Sequence, residues 1–203
     1  MITSKTRFTT LIALFLAFSN LCVAEANKEE WNLPVQLNDQ NASVLFEVDS
    51  TWHLVVGKTS GVSGSASLTD KSNPQSVSIA LSLPIKQFDT DNSSRDERMR
   101  EVMFAETYPT VEFTGSGLTG NCTPALVISD GSCNDFIKGS LKITNVEKEV
   151  SIPVTISYLQ SGSFQVEGAY AFKWGDYGVE DPSIIIARLN PVVTVKFKIS
   201  LSQ

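Results

Sequence analysis

The chain has 203 residues, with 22 acidic against 16 basic side chains, a net charge of −6, three cysteines and a single histidine. That balance argues against nucleic acid or an anionic membrane surface as a partner, and one histidine cannot build a histidine-rich metal centre. No internal repeat, low-complexity tract or dividing linker interrupts the chain.

The chain opens with Lys5 and Arg7, an apolar run from Leu11 to Leu21, and Cys22-Val23-Ala24, which has small residues where a signal peptidase reads. The run is short for a membrane span and polar sequence follows at once, so residues 1–24 are expected to be a cleaved secretory signal. A lipoprotein signal would acylate Cys22, but Ser19 stands where such signals carry Leu. Taking 24 from 203 leaves 179 residues, 25–203, expected to form one domain; loss of Lys5 and Arg7 takes its charge from −6 to −8.

Glu25 to Asn41 is largely polar, with Trp31, Leu33 and Pro34 as its only expected anchors, and reads as a loosely packed lead-in or a closure of the barrel. Val44, Phe46 and Val48 then alternate with Leu45 and Glu47, and a second strand is expected over Trp52 to Val56. Val62 to Thr69 and Val77 to Ile85 alternate more cleanly, apolar on one face and mostly serine on the other.

The stretch from Ser94 to Phe113 breaks this rhythm. Ser94 followed by Glu97 has the spacing of a capping box, in which serine and glutamate side chains each satisfy a backbone N–H at a helix start. Met99, Val102 and Met103 share one face, and Pro109 disfavours helical backbone at Tyr108. The spacing therefore predicts one short helix, about residues 95–105, as a plug or lid at one end of a β core; its methionines suit irregular apolar space.

Cys122 and Cys133 remain as an even pair in an exported chain, and a disulfide is expected, worth about 3 kcal/mol for a loop of this size. Asp130-Gly131 between them reads as a hairpin turn. A redox or metal role would need a C-x-x-C spacing or histidine partners, which this pair lacks. Residues 137–143, 150–158, 164–174 and 193–201 then resume the alternation.

Eight or so antiparallel strands with one apolar face each have a large apolar surface to hide, and a sheet curled into a barrel does so while removing its edges. An outer-membrane barrel would show the same alternation, but the aromatics form no two girdles and a helix interrupts the series. The expected fold is all-β, an antiparallel barrel without stable membrane insertion, wide enough for its own side chains or one small ligand.

Catalytic chemistry finds little support. No G-x-S-x-G occurs, His53 reads as an ordinary strand histidine, and the aspartates near residues 89–96 and 176 lack calcium-loop spacing, so no catalytic residue and no metal are expected. What remains is an apolar interior with aromatics and methionines near one end: Phe46, Phe88, Met99, Met103, Phe104, Phe113, Phe172 and Trp174. Together they suit an elongated apolar ligand or fill a core, and Arg95 and Arg98 stand where a polar head group could be met or where they pair on the surface.

Phe88-Asp89-Thr90, Arg95-Asp96, Met99-Arg100, Phe104, Tyr108-Pro109 and Phe113 resemble the signature of the YceI-like family, and residues 139–154 and 174–179 look like its later blocks. Arg98 stands where the family usually has His, Met103 where it often has Asp, and the Cys122–Cys133 segment is outside the signature. The resemblance implies a lipocalin-like barrel, exported to the periplasm, whose tunnel binds a polyisoprenoid, an isoprenoid quinone or another long amphiphile. It implies no catalytic activity and no cofactor beyond such a polyprenol or quinone as ligand. An envelope structural or stress-related interaction module with a filled core is the competing expectation, and monomer and homodimer are both left open.

Overall fold

The computed structural model describes residues 30–183 and 188–202, so the expected secretory signal at 1–24 lies outside the described residues. Eleven strands succeed one another: β1 (Val35–Asn38), β2 (Ala42–Ser50), β3 (Leu54–Thr59), β4 (Ser63–Leu68), β5 (Val77–Pro84), β6 (Phe88–Asp89), β7 (Thr110–Leu118), β8 (Ser132–Ile143), β9 (Val146–Tyr158), β10 (Phe164–Lys173) and β11 (Leu189–Leu201). They form one sheet in the order β1-β4-β5-β7-β8-β9-β10-β11-β2-β3-β6, curled into a lipocalin-like barrel. Every pairing is antiparallel, and the longest ladder runs from Ser132↔Ser157 to Ile143↔Val146.

Period-two patterning decides the faces. On β9, Val150, Ile152, Val154 and Ile156 are buried while Ser151 and Thr155 between them are exposed, because a barrel wall has only one dry side. Several inward aromatics face a glycine on the neighbouring strand. The ring of Phe46 occupies the space a Cβ on its partner Gly57 would need, at 2.0 Å, and Phe197 does the same over Gly168, at 2.4 Å. Rings seated over glycine lie against the wall and leave the middle of the barrel open.

The barrel has a seam. β1 and β6, at the two ends of the strand order, are not paired with each other among the described residues. Three short connections cross this gap: residues 39–41 from β1 to β2, 60–62 from β3 to β4, and the 3-10 turn Ile85–Gln87 from β5 to β6. They are tied together. The Asp39 carboxylate accepts from the backbone N–H groups of Gly61 and Val62, both at 2.8 Å, and Ser60 donates to Gln87 Oε1 at 3.2 Å.

Four expectations from sequence are corrected. Of the two readings of the lead-in, loose packing is overturned, since the segment contains β1 and its anchor Trp31 is 2% exposed. The strand expected from Trp52 begins at Leu54, because Ser50 to His53 form a turn in which the Ser50 hydroxyl donates to His53 O and accepts from His53 N. Helix α1 spans Ser93–Val102 and its cap is Asn92, whose Oδ1 accepts from Arg95 N at 3.0 Å; Ser94 lies inside the first turn. Finally, the segment between the cysteines is not a simple hairpin. It holds a second short helix, α2 (Pro124–Asp130), capped by Thr123, started by Pro124 and ended by Gly131 in the left-handed region at φ 80°. The disulfide Cys122–Cys133 itself forms as expected.

Candidate functional site

The inward faces enclose a cavity of about 630 Å³, within the roughly 300–1,000 Å³ of ligand pockets. Its wall is overwhelmingly apolar, with Val44, Phe46 and Val48 from β2, Val193, Val195 and Phe197 from β11, Ile152, Val154 and Ile156 from β9, and Ile79, Leu81 and Leu83 from β5. Phe46 and Phe88 meet inside it with ring centroids 5.6 Å apart.

One end is closed by Trp31. Its Nε1 donates to Pro74 O at 2.8 Å and its ring meets Phe164 edge-on at 5.2 Å, so the indole is buried with its one polar atom satisfied. The loops nearby are stapled by the disulfide and by Asp135, 3% exposed, whose carboxylate accepts from the N–H groups of Gly120, Cys122 and Phe136.

The other end is covered by α1, reached directly from β6. The helix turns Met99, Val102 and Met103 inward; Val102 is 1% exposed and all three line the cavity. A buried network holds its first turn. Asp96 Oδ1 accepts from both Thr90 N (3.0 Å) and Thr90 Oγ1 (2.5 Å), while Arg95 donates through Nε to that same Oγ1 (2.7 Å) and through a terminal nitrogen to Thr90 O (2.5 Å). The Thr90 hydroxyl thus links an arginine to a buried carboxylate. At the far end, Phe104 N donates to Glu101 O and Ala105 N to Arg100 O, a Schellman close with Phe104 at φ 53°, and Glu180 N reaches Val102 O at 3.3 Å.

Nine of the ten ligand-facing residues expected from sequence line this one cavity: Phe46, Phe88, Arg95, Arg98, Met99, Met103, Phe113, Phe172 and Trp174. Phe104 does not. Its left-handed backbone at the helix end turns the ring outward, where it is 39% exposed. Arg95 is engaged by Thr90, and Arg98 pairs with Glu101 at 3.0 Å at the rim.

Most of the polar lining carries no mark in the sequence and comes from the turn carrying Ser50 and His53, from Thr59, and from Thr90, Asn92 and Ser94. Trp52, 74% exposed, stands on the same lip. These residues lie in separate segments with no local periodicity, so only the fold brings them together. Tyr177, beside the wall, is a further surprise. Its ring meets Phe172 edge-on at 5.1 Å, and its buried hydroxyl has no hydrogen-bond partner among the described residues. Burial, with smaller contributions from Tyr170 and Asp176, pushes its pKa up to about 12; Tyr170 acts on it electrostatically without reaching hydrogen-bond geometry.

No group of His, Cys, Asp and Glu able to hold a metal occurs among the described residues, and no described helix is long and apolar enough to cross a membrane.

Known structures share this architecture. BcnA of Burkholderia cenocepacia is similar with a TM-score of 0.64 at 18% identity, over 78% of this chain and 95% of that one. A polyisoprenoid-binding domain from Saccharophagus degradans, implicated in plant cell wall breakdown, gives 0.61 at 16% identity over 81% and 95%. The YceI protein of Campylobacter jejuni gives 0.56 at 16% identity over 72% and 83%. No curated protein matches the chain. At these identities the likeness is one of fold, while the YceI-like domain model matches residues 36–201, from β1 to the end of β11, and the chain therefore belongs to the YceI-like domain family.

Proposed function

We propose that this protein is a periplasmic, non-catalytic carrier that holds the tail of a long apolar or amphiphilic lipid, of the polyisoprenoid or isoprenoid-quinone class, inside its barrel. The observation that carries the reading is the hollow of about 630 Å³, walled by aliphatic and aromatic side chains and covered by one helix. At about 0.8 kcal/mol per buried methylene, roughly ten such groups are stabilised by about 8 kcal/mol before the costs of ordering, so affinity needs few polar contacts. The polyisoprenoid-binding domain of like fold supports the ligand class, and the leading apolar segment with the Cys122–Cys133 disulfide supports export. The competing module with a filled core calls for a solid interior, and the hollow weighs against it.

Two measurements test the reading. Extraction and mass analysis of protein purified from its native envelope is expected to release a long-chain lipid. Delipidated protein with a polyprenol or isoprenoid quinone at a hundred times its Kd gains about 2.7 kcal/mol, a rise in Tm of roughly 5–10 °C. Protein that is isolated empty, and that no such lipid shifts in native mass spectrometry, overturns the proposal.

A further inference from the structure

The carrier reading leaves the polar end of the cargo undefined, and the charges around the cavity narrow it. This acidic chain has 22 carboxylate side chains against 16 basic ones, yet the described lining contains no Asp and no Glu. Its charged or titratable members, apart from the phenol of Tyr170, are Arg95, Arg98 and His53, and the other polar side-chain groups are hydroxyls, indole N–H groups and an amide, such as Ser94, Trp52 and Asn92. Every one of these can donate a hydrogen bond.

Resting on the carrier reading, we infer that the cargo ends in an oxyanion, a carboxylate or a phosphate monoester, held at the mouth by Arg98 with His53 and the remaining donors of Arg95. Arg95 spends two of its five N–H groups on Thr90, which fixes the guanidinium in place at the cavity edge. Arg98 uses one terminal nitrogen on Glu101 at 3.0 Å, and the two side chains are 45% and 60% exposed. An ion pair as wet as this contributes little, so an oxyanion arriving at the mouth displaces Glu101 at small cost and offers the planar, two-point contact that suits a guanidinium. A neutral hydroxyl or carbonyl head gains no comparable advantage from two arginines.

The test titrates delipidated protein with two matched pairs, geranylgeranyl phosphate against geranylgeraniol and oleate against oleyl alcohol. The expected result is an anion bound about tenfold or more tightly than the alcohol of the same chain in at least one pair, with the ratio shrinking as salt is raised. The pair with the larger ratio assigns phosphate or carboxylate. Arg98→Gln brings that ratio towards one, and Glu101→Gln, which removes the competing carboxylate, raises it. Equal affinities for anion and alcohol in both pairs, or a ratio unchanged in Arg98→Gln, overturn the inference while leaving the carrier reading intact. Failure of all four compounds to bind overturns this inference, and the carrier reading falls with it when a long polyprenol and an isoprenoid quinone also fail to bind.

Discussion

The two ends of the barrel are built on different terms. At the Trp31 end an indole plugs the hollow, a disulfide ties the neighbouring loops, and one buried aspartate collects three backbone N–H groups. At the α1 end a ten-residue helix is held by side-chain bonds around Thr90 and a single long contact from Glu180, and the lip carries an exposed tryptophan and most of the polar lining. A helix docked by non-covalent contacts alone opens at lower free energy than an end that also carries a covalent staple. On the carrier reading, cargo is therefore expected to enter past the helix, tail first, and to stop at the indole.

The largest expected break of this asymmetry is Trp31→Ala, which removes a side chain that is 2% exposed and leaves Phe164 without its edge-on partner. A loss of about 3–5 kcal/mol, or on the order of 10 °C in Tm, is expected in thermal unfolding, and a change under about 1 kcal/mol would show the plug to be ornamental. Thr90→Val comes next. It keeps the shape but strips Asp96 of a donor and Arg95 of an acceptor, at about 1–3 kcal/mol. Amide exchange in α1 is expected to speed up by at least about tenfold while the amides of the β8–β9 ladder keep their protection; uniform acceleration of both would mean that the helix is no separate lid.

Tyr177→Phe has the smallest effect and the opposite sign. Removing a buried hydroxyl that has no partner is expected to stabilise by up to about 1 kcal/mol, or about 2–4 °C. With a folded pKa raised to about 12, the native state keeps a proton that the unfolded chain surrenders near the ordinary value of 10. The corresponding stability is complete below pH 10 and fades as pH climbs towards 12, and the phenylalanine variant should lack that component in alkaline unfolding. A destabilised variant would instead reveal that the hydroxyl is satisfied in solution.

Much of the wall was legible because β5, β8, β9, β10 and β11 state their faces in plain alternation, and the even cysteine pair foretold its disulfide. Local signals also misled. Asn92 and Ser94 are both competent caps, and the choice fell to Asn92 because its side chain, three residues before Arg95, is the one aimed at a free N–H. The α2 helix had its Thr-Pro start and glycine stop on view, but seven residues between two cysteines also fit a turn. β1 is only four residues long, too short for its alternation to stand out, and draws its order from pairing with β4. Phe104 fitted the apolar stripe by type, but a left-handed backbone at the helix end reversed its direction. The polar lining was beyond reach, since His53, Thr59 and Asn92 come to face one cavity only after the sheet has curled.

In a fully hydrogen-bonded barrel, girth follows from strand number and stagger and cannot vary without breaking a rung. Among the described residues the ladder is interrupted between β1 and β6, and three brief loops laced by Asp39 and Ser60 bridge the gap. A gap bridged by loops is not bound to the stagger of rungs, so on the carrier reading the wall is expected to adjust to thicker and slimmer guests with its interstrand bonds kept.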